Sequence, residues 1–266
     1  MSFNPAAAAV WRFWITGLAD DRAFAMQALE NVTVAVPHSG IALAYLATTR
    51  CEAFFASQTD ALMLPSDVLD MFERARSLAP GDPWVELLRC YGLLFARKTT
   101  AIEPVIAGLK VVPSSGSFSG MLGGILLALD DLPDARQFLA RGLVDAPQQP
   151  YWSRVGLVAI ELTRDDIAAA ARSLEEIPTR IDPVVQTIRA AVACRRGDLG
   201  AAREFAEETL DLCEEFPRFG EIMMRRFFPD RVVDTVARAL EPLALGWFHD
   251  PPAEAAAEGT RNSPYH

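Results

Sequence analysis

"GDLGAAREFAEETL", residues 197–210, has an echo at residues 130–143, "DDLPDARQFLARGL". Superposed, the two share Asp131/Asp198, Leu132/Leu199, Ala135/Ala202, Arg136/Arg203, Phe138/Phe205 and Leu143/Leu210, each pair 67 residues apart. That separation is about twice 33 or 34 residues, so one helix is written at two places in a longer repeat. Prolines carry the same period. Pro37, Pro80, Pro113, Pro147, Pro178 and Pro217 follow amphipathic runs at spacings of 43, 33, 34, 31 and 39 residues. Proline lacks the N–H of a helical bond and clashes with the preceding turn, so each reads as a helix stop.

Between the stops, each unit reads as two helices. In the second helices Ala25, Val68, Ala101, Ala135, Ala170 and Ala202 hold one place. Four residues on come Leu29, Phe72, Val105, Leu139, Leu174 and Ala206; seven on come Val32, Ala75, Gly108, Gly142, Ile177 and Thr209. Positions i, i+4 and i+7 share a helix face, and a small residue followed by a larger one lets two helices interlock. Asp131, Asp166 and Asp198 fall where these helices begin and suit N-caps. The first helices, more apolar, are expected over residues 39–55, 82–95, 117–129, 150–162 and 182–195. Asp82-Pro83 and Asp182-Pro183 each place a cap before a proline at the first helical position. No run reads as a strand, and "VTVAV" at residues 32–36 reads as a helix end. A lone hairpin of this kind cannot hide its apolar stripe, whereas stacked neighbours bury a continuous core.

The chain has 266 residues, 51 % of them hydrophobic, which is enough for a sizeable core and too much for bulk disorder. A net charge of −10 argues against a nucleic-acid binder held by phosphate contacts and permits a basic partner. Lys98 and Lys110 are the sole lysines, an arginine bias that reads as a GC-rich, bacterial genome. Cys51, Cys90, Cys194 and Cys213 form no C-x-x-C pair and read as free thiols of a reducing compartment. His38, His249 and His266 offer no zinc spacing. The N-terminus lacks a basic leader, Arg12 breaks its apolar run, and residues 121–129 are too few to span a membrane. The expected location is the cytoplasm, with no cofactor, metal or membrane contact.

Catalytic motifs are absent. "GSFSG" at residues 116–120 carries Phe118 where a nucleophile elbow needs serine, and no phosphate loop exists. The expectation is a protein that is not an enzyme. A catalytic alternative would require a buried carboxylate pair or a histidine cluster assembled only in three dimensions.

A 34-residue helical pair with small residues in its second helix and a closing proline resembles the tetratricopeptide repeat. The best copy spans residues 116–149, with Leu122-Gly123, Ala135, Leu139 and Pro147; Phe72, Ala75 and Pro80 fit the second half of another. The usual aromatic early in the first helix is replaced by Ser119. The resemblance implies an all-α, right-handed solenoid of about five to six helix hairpins, with a C-terminal capping helix after Pro229. The boundaries are a lead helix at residues 1–19, the solenoid at 20–246 and a disordered tail at 247–266. The order of parts is also similar to the repeat regions found C-terminal to bacterial nucleotide-cyclase and winged-helix regulator domains. A stand-alone adaptor and a regulator module separated from its effector are both readings of it.

In such repeats the first helix lines the concave face. Projecting that register puts Trp84, Leu87, Tyr91, Tyr151, Arg154, Glu161 and Arg195 on a partner-binding groove. Aromatics and arginines anchor interfaces, although core packing explains Trp84 and Tyr91 equally. Glu207, Asp211 and Glu214 share one side of a helix, either a solvated face or a docking strip. The implied function is a non-catalytic scaffold holding a protein or peptide segment, with small-molecule sensing inside the superhelix as the rival. The "AVWRFWI" segment at residues 9–15 is expected to pack as an extra helix on the first repeat.

Overall fold

The echo has a local cause at the turn between paired helices. In the computed structural model of the chain, which describes residues 3–57, 64–113, 115–146, 150–177 and 182–248, the backbone at Asp130, Asp165 and Gly197 turns left-handed, with φ of 68, 63 and 80°. The amides of Asp131, Asp166 and Asp198 then donate to the carbonyls of Leu126, Glu161 and Ala193, closing the preceding helix. Their carboxylates accept from the amides of Asp134, Ala169 and Ala201, opening the next. One aspartate thus ends a helix and starts its partner, and each recurrence of the pattern writes the same hairpin.

The helices are α1 (Phe3–Thr16), α2 (Ala19–Ala35), α3 (Gly40–Ser57), α4 (Ser66–Leu78), α5 (Pro83–Phe95), α6 (Glu103–Lys110), α7 (Gly116–Ala128), α8 (Leu132–Asp145), α9 (Tyr151–Thr163), α10 (Ile167–Glu175), α11 (Pro183–Arg195), α12 (Leu199–Leu212), α13 (Phe216–Phe227) and α14 (Asp230–Leu240). No strand occurs among the described residues. The described residues form an all-α stack of helix pairs. Helices α3, α5, α7, α9 and α11 each touch the next, while α2, α4, α8 and α10 bridge to the first helix of the following pair. The first helices are therefore the inner layer and the second helices the outer one. The residues read as one recurring face, such as Ala25, Leu29 and Val32 or Ala135, Leu139 and Gly142, are buried.

Three features differ from expectation. First, α1 is no separate lead: it packs against α2 across the Gly17-Leu18 link and supplies the first helix of the first pair. Second, the third pair slips by one residue. Arg97 takes the left-handed turn (φ 53°) and the Lys98 amide reaches the Leu93 carbonyl, but Lys98 has no acceptor with which to cap. A 3-10 turn at Thr99–Ala101 intervenes, and Ile102, Ile106 and Leu109 are buried in place of Ala101, Val105 and Gly108. Third, Pro217 lies in the first turn of α13 and opens a helix there, whereas α12 has already ended at Leu212.

The C-terminal helices do not extend the stack beyond α12. Helix α14 lies against α9 and α11, and α13 against α7 and α11. Helix α11 is consequently buried on every side from Val184 to Cys194. Trp247 is only 5 % exposed and meets Phe216 edge-on at 5.4 Å, so the packed chain continues past the expected boundary at residue 246. The rest of the expected tail, residues 249–266, and Pro147 and Pro178 lie outside the described residues.

Gly108 and Gly142, aligned in the sequence repeat but set apart by the one-residue slip, have opposite surroundings. A Cβ on Gly142 would sit 2.7 Å from the Gly120 amide nitrogen and 3.0 Å from the Gly116 carbonyl oxygen, whereas one on Gly108 meets nothing within 4 Å. Gly142→Ala forces the backbones of α7 and α8 apart and is expected to cost about 1–3 kcal/mol. Gly108→Ala is expected to stabilise by up to about 1 kcal/mol through helix propensity. Thermal denaturation of both variants checks the pair of signs.

Candidate functional site

The inner layer is walled by aromatic rings contributed from several pairs. Near the end of α1, Trp14 stacks with Tyr45 of α3 at 5.9 Å and Trp11 meets Trp14 edge-on at 5.0 Å. Trp84 of α5 lies 6.3 Å from Trp11, 6.4 Å from Tyr45 and 5.3 Å from Phe118 of α7. A second row joins the ends of α3 and α5 to α13. Phe95 is 5.0 Å from Phe55, 4.8 Å from Tyr91 and 5.6 Å from Phe227, and the Arg226 guanidinium stands 4.6 Å over the Phe55 ring.

Glu52 of α3 links the two rows. Its Oε2 accepts the Trp14 indole N–H at 2.9 Å and its Oε1 accepts the Tyr91 hydroxyl at 3.0 Å. Beyond it, the Tyr151 hydroxyl of α9 donates to Asp182 Oδ2 at 3.2 Å, and Asp182 Oδ1 caps α11 by accepting the Val184 amide at 2.7 Å. Burial pushes the Glu52 carboxyl up to about 7, against the hydrogen bonds from Trp14 and Tyr91 and the charge of Arg22. Burial likewise drives Tyr91 and Tyr151 well above the usual phenol range; the Glu52 charge adds to both, and Asp182 adds to Tyr151. Asp182 is raised by burial against the hydrogen bonds it accepts. Protein crowds around these groups, yet Trp11, Glu52, Trp84, Tyr91, Tyr151 and Asp182 each keep part of their surface open.

Of the groove residues expected from sequence, Trp84, Tyr91 and Tyr151 come together here. Leu87 is fully buried and offers no surface. Arg154 pairs with Glu176, the residue that caps the end of α10, and Arg195 with Asp165 at the α9–α10 turn. Glu161 is buried and ties Arg136 of α8 at 2.7 Å, so these three stitch neighbouring helices. Glu207, Asp211 and Glu214 are exposed on the outer side. Sequence reasoning missed Tyr45 and Glu52, and it read Asp182 only as a helix cap and Trp14 only as part of the segment packed on the first repeat. The one available signal was Glu52 itself, the single acidic residue within α3.

Among the described residues no group of histidine, cysteine and carboxylate side chains is arranged to hold a metal, and no helix is long and apolar enough to cross a membrane. All four cysteines are free thiols, and burial raises those of Cys51 and Cys90.

No family model matches the chain, and no curated protein matches it. A solved structure described as "Structure of Naa15/Naa10 bound to HypK-THB" aligns over 97 % of this chain and 37 % of its own, at 16 % identity and a TM-score of 0.33. The chain thus spans well under half the length of the chain it aligns with.

A carboxyl whose folded pKa exceeds its unfolded value contributes stability that is complete below the unfolded pKa and is lost as pH rises through the folded one. For Glu52 the window runs from the ordinary 4.5 to about 7. The groups that face it from neighbouring elements are Arg22, Tyr91 and Tyr151, with Arg226 acting on the adjacent Cys51. Glu52→Gln removes the titration. The variant's melting temperature is expected to gain on wild type as pH is raised from about 5 to about 8. Parallel melting curves at all pH values would sink the assignment.

Proposed function

We propose that the chain is a non-catalytic scaffold for protein interaction whose inner face binds amphipathic helices. The supporting observation is that two helices of this chain already lie there. Helices α13 and α14 rest on α7, α9 and α11, and reach α5, α3 and the α7–α8 turn by contacts a docked peptide would use: Phe227 against Phe95, Arg226 over Phe55, and Arg231 on the carbonyl and carboxylate of Asp130. Phe227 remains 41 % exposed, which leaves this contact at the rim of the covered surface.

A tethered occupant competes at high effective concentration, so a partner gains access mainly when α13 and α14 lift. The likeness in part order to bacterial regulator repeat regions supports a module that answers to a separate effector. The net charge of −10 and the outer Glu207–Asp211–Glu214 strip favour a partner with a basic segment. Four free thiols, three of them buried, suit the reducing cytoplasm.

The test is co-purification from native cells with Phe227→Ala/Arg231→Ala beside wild type. One near-stoichiometric polypeptide is expected, more abundant on the double variant and displaced by a synthetic peptide of residues 216–243. If neither bait enriches a polypeptide, or the peptide displaces nothing, the reading fails.

A further inference from the structure

We propose that the outer flank of the first pair, along α2, is a surface on which two copies of this chain meet about a two-fold axis. The ground is a departure from the repeat. Helix α8 turns one flank to the preceding pair, where Lys110 at the end of α6 binds Asp131 and Asp134. Phe24 holds the place of Asp134 in α2, and it is 65 % exposed. Gln27, Asn31 and Val34 follow it at helical spacing and are exposed as well. Where Phe24 stands, α4, α8 and α12 carry Asp67, Asp134 and Ala201; where Asn31 stands, they carry Arg74, Arg141 and Glu208. Between Ala23 and Ala35 the one charged residue is Glu30, and it turns to α3, pairing with Arg50 at 3.0 Å. A terminal repeat that meets only water needs a polar outer face, and this one is apolar and neutral. Five of the eleven exposed large apolar residues described, Ile15, Leu18, Phe24, Val34 and Val36, fall within residues 15–36 and so concentrate on this pair. At the far end of the stack the 3-10 turn at Glu241–Leu243 lies against α12.

Three properties of this surface select a second copy as its occupant. The first is charge. Each copy carries a net −10, so two copies repel as a whole and approach best at a neutral face. The second is shape. A groove of about 210 Å³ lies between α1 and α2, with Pro5 and Ala6 on one side and Phe24, Ala28 and Val32 on the other. That is room for a ring, since a dry cavity of about 150 Å³ admits benzene. Phe24 is both a projecting ring and a wall of the groove, and a two-fold contact requires one surface to carry knob and hole together. The third is hydrogen bonding. The Gln27 and Asn31 side chains lie 3.5 Å apart, and each amide both donates and accepts, so the pair can match its own copy. With α2 antiparallel to its counterpart and the axis between Gln27 and Ala28, Phe24 of each copy faces Asn31 of the other.

The surface is separate from the inner face, and its test uses the purified full chain without any partner polypeptide. Sedimentation equilibrium is expected to show a reversible dimer of the 29.1 kDa chain. A contact this small predicts a dissociation constant on the order of 10 µM. Added salt is expected to tighten the dimer, because it screens the repulsion between like-charged copies. Phe24→Glu is expected to weaken association at least about thirtyfold, the scale of a central interface aromatic. Asn31→Arg acts in the same direction. Both replace exposed side chains, so circular dichroism and melting stay close to wild type. Mixed in equal amounts, the two variants recover a dimer, because the new carboxylate of one faces the new guanidinium of the other across the axis. If one variant fails to fold, the other and the salt dependence decide. A wild-type chain that is monomeric at about 200 µM, well above the expected constant, overturns the proposal and leaves the flank to a different polypeptide. A dimer that the folded variants retain, or one that salt loosens, overturns it as well.

Discussion

A helix that is apolar on every side must be packed on every side. Among the first helices α7 is of that kind: it is built from glycine, serine and large apolar residues with no charge, and Phe118 through Gly123 are all buried along it. Neighbouring pairs cover two flanks and the hairpin partner a third. The inner flank remains, and an open groove would leave it in water. Helices α13 and α14 meet that requirement for α7, α9 and α11, while α1 brings Trp11 and Trp14 to α3 and α5. The closed inner face follows from the composition of the first helices.

Closure also explains how polar groups are distributed. Charged side chains on the inner helices are mostly spent on helix-to-helix pairs, between neighbouring hairpins in Arg136–Glu161 and Arg89–Glu73 and within one hairpin in Arg154–Glu176. Each links a helix to its neighbour in the stack and has a countercharge, so burial costs little beyond what the pair returns. Glu52 departs from that rule. It is held by an indole and a phenol, and the strain of keeping it charged appears as the rise of its carboxyl to about 7.

What could be read from sequence was whatever a single hairpin determines. The capping aspartates at 131, 166 and 198, the Asp-Pro starts at 82 and 182, and the buried i, i+4, i+7 face are local rules, and they held to within a residue or two. The slip in the third pair was local too. Lys98 stands where an aspartate stands in three other turns, and a missing acceptor predicts a poorly started helix. The inner face was not legible in this way. Whether Trp84 and Tyr91 are exposed depends on where α1 and α13 go, which no repeat register states. The grouping of Tyr91, Tyr151 and Glu52 joins residues from three different pairs, and nothing in their spacing announces it.

Glu52 and the cover are physically continuous. Tyr91 donates its hydroxyl to Glu52 and packs its ring on Phe95, and Phe95 is the ring against which Phe227 of α13 rests. On the other side, Phe55 lies one helical turn beyond Glu52 and carries the Arg226 guanidinium. Packed aromatic rows shift as units because the interior holds little free volume. Between Glu52 and α13 there are therefore two rings on one side, Tyr91 and Phe95, and one on the other, Phe55. Any free energy that Glu52 exchanges with the cover must be reciprocal: what loosens α13 by acting at Glu52 is, to the same extent, altered at Glu52 when α13 lifts.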